Sequence, residues 1–471
     1  MPARPNLLLI MTDQHRGDSL SLAGHPAVLT PNIDALGLEG AHFQRAYATC
    51  PSCIPARRAL LTGQYPATNG LGGFVGHPIT TAPTLPQALH DAGYQTELVG
   101  RTMHQEPPYQ RYGYDHMTHG SSYVPQDVYA DWLAEQAPGS GGVRGAGLSF
   151  NGWTARPWPL ADHLHPTAWI VEEGKRFLRH ARDASCPLFL TLSFYAPHPP
   201  LVPPAFYLDR YLRVPLPDPY LGEWATPPAH HLVDSARVNL RGEALRAARA
   251  GYYGLINHVD DQLYWFMQEF IGLCGREGRE WLVVFTSDHG EMLGDHYYFR
   301  KCEPYEGSAR IPLLIRGSSG FGINTGMTST APVCLEDVMP TLLDAAGASI
   351  PDGLDGRSLL PLLRGERDRV RDVLPGEHAP CYSKEQAFHS LTDGRWKYIW
   401  RPFTGAEQLF DLETDPGECR DLAAAQPDAT AHWRRRLIDW LHDRPEGFTD
   451  GARLIEPREY PGIISGVGCT A

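Results

Sequence analysis

The stretch that decides the fold runs from Asn6 to Gln14 and reads NLLLIMTDQ. Its apolar part, Asn6 to Met11, has the length of a buried strand, and polar Thr12, Asp13 and Gln14 follow at once. The run is too short for the apolar segment of a secretory signal peptide with a cleavage site. We therefore predict an interior strand whose carboxyl end carries hard oxygen ligands.

Similar β-rich runs alternate with helical patterns along most of the chain. Strands that alternate with helices favour a mostly parallel sheet covered on both faces, and ligands bind beyond the carboxyl ends of such strands. The other predicted strands are Thr96 to Val99, Pro187 to Tyr195, Trp281 to Ser287 and Ile311 to Arg316. The predicted helices begin at Pro31 or span Thr84 to Ala92, Ala168 to Arg182, Glu243 to Gly272 and Leu335 to Ala346.

The long helix from Glu243 to Gly272 carries both aromatic and acidic residues. We expect Asp260 and Asp261 to face solvent or to brace the fold rather than to bind metal. The aromatic residues are predicted to lie in the core, and they are Tyr252, Tyr253, Tyr264, Trp265 and Phe266.

The pattern changes near Gly365, which predicts a boundary between a large α/β domain over residues 1–365 and a small α/β subdomain over residues 366–471. The subdomain is expected to hold an antiparallel pair, one helix and a Pro/Gly-rich tail. Their predicted ranges are Leu391 to Trp400 with Gln408 to Leu412, Ala429 to Leu441, and Arg444 onward.

Composition excludes several classes of function. A chain of 471 residues with 42% hydrophobic side chains can bury a large core. The net charge of -13 argues against a nucleic-acid partner, because neutralising phosphates requires clustered Lys and Arg. No stretch approaches the roughly 20 apolar residues needed to cross a bilayer, so we expect no membrane partner and a cytoplasmic location. The nine scattered cysteines are expected to be mostly buried thiols.

Two predicted strand ends place hard ligands at one edge of the sheet. Asp13 and Gln14 follow the first strand, and Asp288 and His289 follow the strand Trp281 to Ser287. A single Asp after a strand more often caps the next turn or helix. Two such ends, each with a second donor beside the Asp, favour a site for a divalent cation.

Between these strand ends lies the stretch CPSCIPARRALLTG, from Cys50 to Gly63. A helical pattern begins just after its prolines, which places Cys53 at a helix N-terminus. Partial positive charge there favours an anionic nucleophile and a bound oxyanion. The alternative is a Cys50/Cys53 redox pair, but the strand and helix context of that motif is missing, and Pro55 and Arg57 have no role in it.

The residues Cys53, Pro55 and Arg57, followed by Leu61-Thr62-Gly63, resemble the signature of the type I sulfatase family in the alkaline phosphatase superfamily. This resemblance implies a large, mostly parallel central sheet flanked by helices, a small C-terminal subdomain with an antiparallel sheet, and hydrolysis of sulfuric esters. Further blocks with the same resemblance are Asn6 to Gln14, Thr30 to Leu36, Gly93 to Thr96, Ala196 to His198, Thr286 to Glu291, Tyr305 to Pro312, Leu409 to Leu412 and Asp415-Pro416.

The resemblance also implies two cofactors. A separate formylglycine-generating enzyme would oxidise Cys53 to formylglycine, whose hydrated aldehyde is the nucleophile. One hydroxyl attacks sulfur, and the second later expels sulfate by collapsing to the aldehyde. The implied ion is Ca²⁺, with Mg²⁺ or Mn²⁺ as alternatives. Its implied ligands are Asp13, Gln14, Cys53, Asp288 and His289.

Roles for the remaining polar residues follow from the same resemblance. Asp288 would help to deprotonate the attacking hydroxyl, and Arg57 would hold the modified residue. Lys301 would bind a sulfate oxygen, and either Lys301 or His198 would protonate the departing alcohol. His104 would act as the base in the final collapse.

One block departs from the family pattern. The family's usual Gly-Lys-x-His is replaced by Gly100-Arg101-Thr102-Met103-His104, with Arg for Lys and one extra residue before the histidine. Arg101 could hold sulfate through two hydrogen bonds, but a guanidinium does not donate a proton at neutral pH.

Three functions remain open from sequence. The first is hydrolysis of a small sulfated substrate, such as a sugar sulfate or an aryl sulfate. The second is hydrolysis of phosphonate monoesters or phosphodiesters at the same site, and the third is an inactive relative that binds sulfated ligands. The stretches Gln105 to Pro166 and Pro203 to Gly242 are expected to line the pocket mouth with the C-terminal tail, and a homo-oligomer is left open.

Overall fold

The protein is seen here in a computed structural model that describes residues 4–76, 80, 82–102, 109–120, 127–232, 235–464 and 467. Its strands are β1 Asn6–Asp13, β2 Ala41–Phe43, β3 Ala46–Tyr47, β4 Gln95–Gly100, β5 His116–His119, β6 Leu188–Pro197, β7 Trp281–Ser287, β8 Leu313–Gly317, β9 Met327–Ser329, β10 Val333–Cys334, β11 Leu374–His378, β12 Phe388–Thr392, β13 Trp396–Trp400 and β14 Glu407–Asp411. Its α-helices are α1 Pro31–Leu38, α2 Cys53–Thr62, α3 Pro66–Asn69, α4 Leu85–Asp91, α5 Val128–Gln136, α6 Pro166–His180, α7 Ala205–Leu212, α8 Gly242–Glu277, α9 Glu306–Ala309, α10 Val338–Ala345, α11 Leu360–Leu363 and α12 Pro427–Trp440.

The central sheet has eight strands in the order β5-β4-β6-β1-β7-β8-β2-β9. β1 lies in the middle, with Leu8 opposite Leu190 of β6 and Val283 of β7. Within the described residues, β8 alone runs against its neighbours β7 and β2. The predicted, mostly parallel sheet is confirmed, and the central position of β1 explains why this strand is apolar from Leu7 to Met11.

Alternate side chains of β1 enter two separate cores. Leu8 and Ile10 pack with the buried faces of α6 and α8, whereas Leu7 and Leu9 pack on the other side with α2, α4 and α10. A strand alternates its side chains between the two faces of a sheet, so a strand covered on both sides needs an unbroken apolar run. Each such side chain contributes about 1.5–3 kcal/mol relative to exposure.

The long helix α8 corrects one sequence-based prediction. Tyr252, Tyr253 and Phe266 are buried as expected, but Tyr264 is 44% exposed and Trp265 is 62% exposed. The reading of Tyr264 and Trp265 as core residues was wrong, because the helical repeat turns them away from the face that covers the sheet.

Asp260 of α8 braces the fold, one of the two roles that the sequence left open for it. Its carboxylate is fully buried and accepts hydrogen bonds from the backbone N–H of Ile33, at 2.7 Å, and from Asn32. These residues begin α1, so the carboxylate satisfies N–H groups that the helix itself leaves free. Burial raises the pKa of Asp260 to about 7, despite these hydrogen bonds.

The C-terminal sheet has four antiparallel strands in the order β11-β12-β13-β14 and packs against α12. It contains the strands predicted from Leu391 to Trp400 and Gln408 to Leu412, and β11 extends it at one edge. Glu303, in the loop between β7 and β8, accepts hydrogen bonds from Gln386 at 2.8 Å and Arg401 at 2.9 Å. The C-terminal sheet therefore supports a loop that follows β7, and the boundary after residue 365 stays a proposal.

Of the eight cysteines in the described residues, Cys50, Cys53, Cys274, Cys302 and Cys334 are buried, and all eight are free thiols. The prediction of mostly buried thiols is therefore confirmed for these positions. Among the helices of the same residues, none combines the length and the apolar character required to cross a bilayer.

Candidate active site

The carboxyl ends of β1 and β7 meet the N-terminus of α2 at one buried point. Asp13 is the last residue of β1, Asp288 and His289 follow β7, and Cys53 is the first residue of α2. The ligand atoms of these four residues lie within 4.8 Å of one another, and all four side chains are buried. Parallel neighbours end at the same edge of a sheet, so the sequence order brings these groups together.

The Cys53 thiol lies beside one imidazole and one carboxylate. Its Sγ is 3.2 Å from His289 Nε2 and 3.9 Å from Asp13 Oδ1. Burial acts to raise the pKa of this thiol, and so does the Asp13 carboxylate. The nearby Lys301, His289 and Arg101 outweigh both and hold the pKa of Cys53 below its ordinary value. The site therefore stabilises negative charge at residue 53.

Two guanidinium groups fix the two carboxylates. Arg57 lies four residues after Cys53 on α2, and its Nη2 is 3.0 Å from Asp13 Oδ2 while its Nε is 2.9 Å from Asp288 Oδ2. Arg101 follows β4 and places Nη1 2.5 Å from Asp13 Oδ2. Burial acts to raise the pKa of Asp13, but Arg101 and Arg57 hold it well below its usual range. Asp13 is thus held ionised, and Arg57 holds both carboxylates in position.

A second arm of the site joins Lys301, His198 and Gln14. Lys301 Nζ donates to Gln14 Oε1 at 2.8 Å and lies 2.9 Å from His198 Nε2. His198 Nδ1 is 2.7 Å from the carbonyl of Pro199, which can only accept, so Nδ1 carries the proton and Nε2 is the acceptor that faces Lys301. Burial and the Lys301 charge push the pKa of His198 well below its ordinary value.

Two residues that support Gln14, Tyr252 and Glu291, were not identified from sequence. Gln14 itself has a backbone φ of 68°, a conformation that residues other than Gly rarely adopt. The hydroxyl of Tyr252 donates to the Gln14 carbonyl at 2.7 Å, and Glu291 accepts from the Gln14 amide. Glu291 lies in a quoted family block, but Tyr252 comes from α8 and was read only as a core aromatic.

Nearly all of the predicted site residues converge in this cluster. His104 lies outside the described residues. The structure brings together Asp13, Gln14, Cys53, Arg57, Arg101, His198, Asp288, His289 and Lys301.

The donor set is suited to a divalent cation. Asp13 and Asp288 supply carboxylate oxygens, His289 supplies an imidazole nitrogen, and Gln14 carries an amide oxygen at the same strand end. Carboxylate and amide oxygens are the ligands that Ca²⁺ and Mg²⁺ prefer, and an imidazole also suits transition metals. These residues could therefore hold one divalent ion.

Residues 5–348 match the protein family described as Sulfatase. This chain belongs to the sulfatase family. Residues 294–442 also match the family described as N-sulphoglucosamine sulphohydrolase, C-terminal. The chain is thus a sulfuric ester hydrolase with an alkaline phosphatase-like fold, and the resemblance drawn from its motifs is confirmed.

Similar proteins cover almost the whole length of this sulfatase. An arylsulfatase of Clostridium perfringens is 36% identical over 97% of this chain and 98% of its own length. A choline-sulfatase of Rhizobium meliloti is 31% identical over 97% of this chain and 90% of its own. The structure of a phosphonate monoester hydrolase of Agrobacterium radiobacter has a TM-score of 0.78 and 27% identity, and covers 93% of this chain and 95% of that chain.

Proposed function

We propose that this sulfatase hydrolyses sulfate monoesters to an alcohol and inorganic sulfate, with formylglycine derived from Cys53 as the nucleophile. A divalent cation, Ca²⁺ in the first instance, would be held by Asp13, Gln14, Asp288, His289 and residue 53. The observation that carries the proposal is the convergence of two strand ends and a helix N-terminus within 4.8 Å. The Cys53 sulfur stands in for the oxygens of the modified residue.

The residues around the nucleophile would orient it and receive its proton. When bound, the cation and the formylglycine hydrate supply an acidified hydroxyl that can attack sulfur and a second hydroxyl that permits sulfate release. Arg57 keeps Asp13 and Asp288 in fixed positions through hydrogen bonds of 3.0 and 2.9 Å. Asp288 would accept the proton of the attacking hydroxyl, because a buried carboxylate has lost the solvent that would otherwise compete for it.

Lys301 is the better proton donor for the departing alcohol. His198 presents an unprotonated Nε2 toward Lys301 at 2.9 Å, and its pKa is held well below the ordinary value by burial and by Lys301. A neutral imidazole that carries its proton on Nδ1 has no proton to give at Nε2. Lys301 would therefore donate the proton and also stabilise charge on the sulfate, while His198 positions the ammonium group.

A second reaction is supported by one finding. The similar structures of known activity include the phosphonate monoester hydrolase of Agrobacterium radiobacter and one of Silicibacter pomeroyi, at 27% and 25% identity. Sulfate and phosphonate esters present similar tetrahedral oxyanions to such a site. Hydrolysis of phosphonate monoesters is therefore the alternative activity, as a weaker reaction of the same residues.

The proposal is tested on protein produced together with a formylglycine-generating enzyme. Intact-mass analysis should show a loss of about 18 Da at Cys53, because SH and H are replaced by a carbonyl oxygen. Protein with Ca²⁺ should then turn over an aryl sulfate with a higher kcat/KM than the matching aryl phosphonate. A strong phosphonate preference would reverse the two candidates, and fully unmodified Cys53 without turnover would favour an inactive relative.

A further inference from the structure

Arg300 is a buried cation directly before Lys301, and its surroundings use only part of its guanidinium group. The side chain is 7% exposed, and its Nε donates to the carbonyl of Asn151 at 2.9 Å. The guanidinium carbon lies 5.2 Å from the centroid of the Tyr382 ring. The backbone of Arg300 has a φ of 73°, so the loop holds this residue in a conformation that L side chains rarely adopt.

One nitrogen of this group, Nη2, has no hydrogen-bond partner in the described part of the chain. Among the residues that the structure describes, none accepts a hydrogen bond from Arg300 Nη2, although the atom is buried. An unsatisfied hydrogen-bond donor on a buried charge costs a few kcal/mol, so such groups in folded proteins commonly have a ligand or solvent as partner. The Tyr382 side chain lies beside one part of the guanidinium, while the N–H groups of Nη2 have no acceptor among the described residues and can bind one from a ligand.

Arg300 flanks the arm of the site that contains Lys301 and His198. Asn151, its backbone partner, follows Phe150, whose ring centroid is 6.4 Å from that of Tyr195. The Tyr195 ring is in turn 5.0 Å from the His198 ring. Arg300 is thus connected to this arm twice, through the chain to Lys301 and through packed side chains to His198.

We propose that Arg300 binds a second anionic group, a carboxylate or sulfate, on the alcohol part of the substrate. The inference rests on the proposed function, in which Lys301 and His198 face the departing alcohol. A guanidinium fork matches the oxygens of carboxylate and sulfate better than an ammonium does. The half-exposed Tyr382, with 37% of its surface accessible, would border the same subsite. The substrate class is then sulfate esters of alcohols that carry their own negative charge.

The test compares pairs of nitrophenyl sulfates. In each pair one ester carries a carboxylate on the ring and the other carries a carboxamide at the same position, and the pairs are made with this group in the meta and in the para position. Wild-type protein with confirmed formylglycine should favour the carboxylate by on the order of 10-fold in kcat/KM, as expected for one charge-assisted hydrogen bond. Arg300→Met should abolish this preference, mainly through KM, and Arg300→Lys should keep part of it. Arg316→Met is the matched control, because Arg316 also stacks on an aromatic ring, Trp281, but pairs with the other end of β7.

The outcomes separate this inference from the proposed function. No turnover of either aryl sulfate by modified wild type would overturn the proposed function itself. Turnover of both esters without a carboxylate preference in either series would overturn only the role of Arg300. An equal preference in wild type and Arg300→Met would do the same. If Arg300→Met does not fold, the carboxylate preference of the wild type and its partial loss in Arg300→Lys test the role of Arg300. A wild-type protein without the preference, or an undiminished preference in Arg300→Lys, would then overturn that role.

Discussion

Two buried clusters of charged side chains differ in how their charges are neutralised. The nucleophile cluster lies at the edge of the central sheet, and the lysine cluster lies where the C-terminal sheet meets the helix α9. The members of the nucleophile cluster are Asp13, Cys53, Arg57, Asp288 and His289, and those of the lysine cluster are Arg45, Glu306, Lys397 and Glu418.

The lysine cluster is closed on itself. Lys397 Nζ donates to Glu306 at 2.6 Å, to Glu418 at 2.8 Å and to the carbonyl of Pro304 at 3.0 Å, which uses all three of its donors. Arg45 Nη1 pairs with the second carboxylate oxygen of Glu306 at 3.1 Å. Cations and anions alternate, so the charges of this cluster neutralise one another.

The nucleophile cluster instead gathers potential ligands on one side. Arg57 neutralises the outer oxygens of Asp13 and Asp288, while their other oxygens, the Cys53 thiol and the His289 nitrogen converge. Burial and ion pairing alone therefore do not identify a functional site. A functional site is distinguished by donor atoms that converge and could share one bound ion.

Replacement of the nucleophile should have the largest effect. Cys53→Ala should lower kcat for an aryl sulfate by at least ~10⁴-fold, because the group that attacks sulfur is removed. Cys50→Ala is the control, since Cys50 is also buried and lies three residues earlier. It should retain activity within a few-fold, and equal loss in both variants would instead favour a Cys50/Cys53 redox pair.

Breaking the lysine cluster should cost stability. Lys397→Met leaves Glu306 and Glu418 buried without their shared cation and should lower the free energy of unfolding by about 3–5 kcal/mol. The measurement is denaturant unfolding. Lys384→Met is the control, because that side chain is 59% exposed and lies 3.8 Å from Glu456. The control should lose less than about 1 kcal/mol of the free energy of unfolding. A loss as small as this for Lys397→Met would show that the lysine cluster does not stabilise the fold.

Stabilisation of the folded protein by a bound metal ion should depend on the nucleophile cluster. Ca²⁺ at about 100 times its Kd should stabilise the wild-type protein by ~2.7 kcal/mol, seen as a rise of a few degrees in the unfolding midpoint. Asp288→Asn removes one carboxylate of the nucleophile cluster and should abolish most of that rise. Asp450→Asn, at an exposed pair with Arg453, should leave it intact. An undiminished rise in Asp288→Asn would place the ion elsewhere.

The smallest effect is expected at Tyr252. Tyr252→Phe removes the hydroxyl that donates to the Gln14 carbonyl at 2.7 Å, so kcat should fall by up to about 10-fold and stability by about 1 kcal/mol. Tyr253→Phe is the neighbouring control, because Tyr253 packs against His25 and Tyr211. Equal changes in kcat for both variants would show that Tyr252 acts through packing alone.

Sequence reasoning was most successful where local pattern and function coincide. An apolar run that is closely followed by Asp13 predicts both a central strand and a ligand at its carboxyl end, and the same holds for Asp288 after β7. The N-terminal position of Cys53 on α2 followed from the prolines and the Ala-Leu pattern behind it. These features depend on short stretches of chain and on the rule that parallel strands end together.

Features that depend on distant contacts were not predictable in this way. Apolar periodicity gives a strand no direction, so the reversal of β8 was missed. The aromatic residues of α8 were assigned to the core together, although consecutive residues on a helix point in different directions, and Tyr264 and Trp265 were therefore misplaced. The contact of Tyr252 with Gln14 joins residues 238 positions apart. The roles of Arg57 and Arg101 stay predictions, although both guanidinium groups contact Asp13.

The most direct test of the central claim is a crystal structure of the formylglycine-containing protein with Ca²⁺. The account predicts one ion about 2.3–2.6 Å from oxygens of Asp13, Asp288 and residue 53, with His289 and Gln14 beside it. An ion bound away from these carboxylates, or a residue 53 that does not reach the ion, would contradict it.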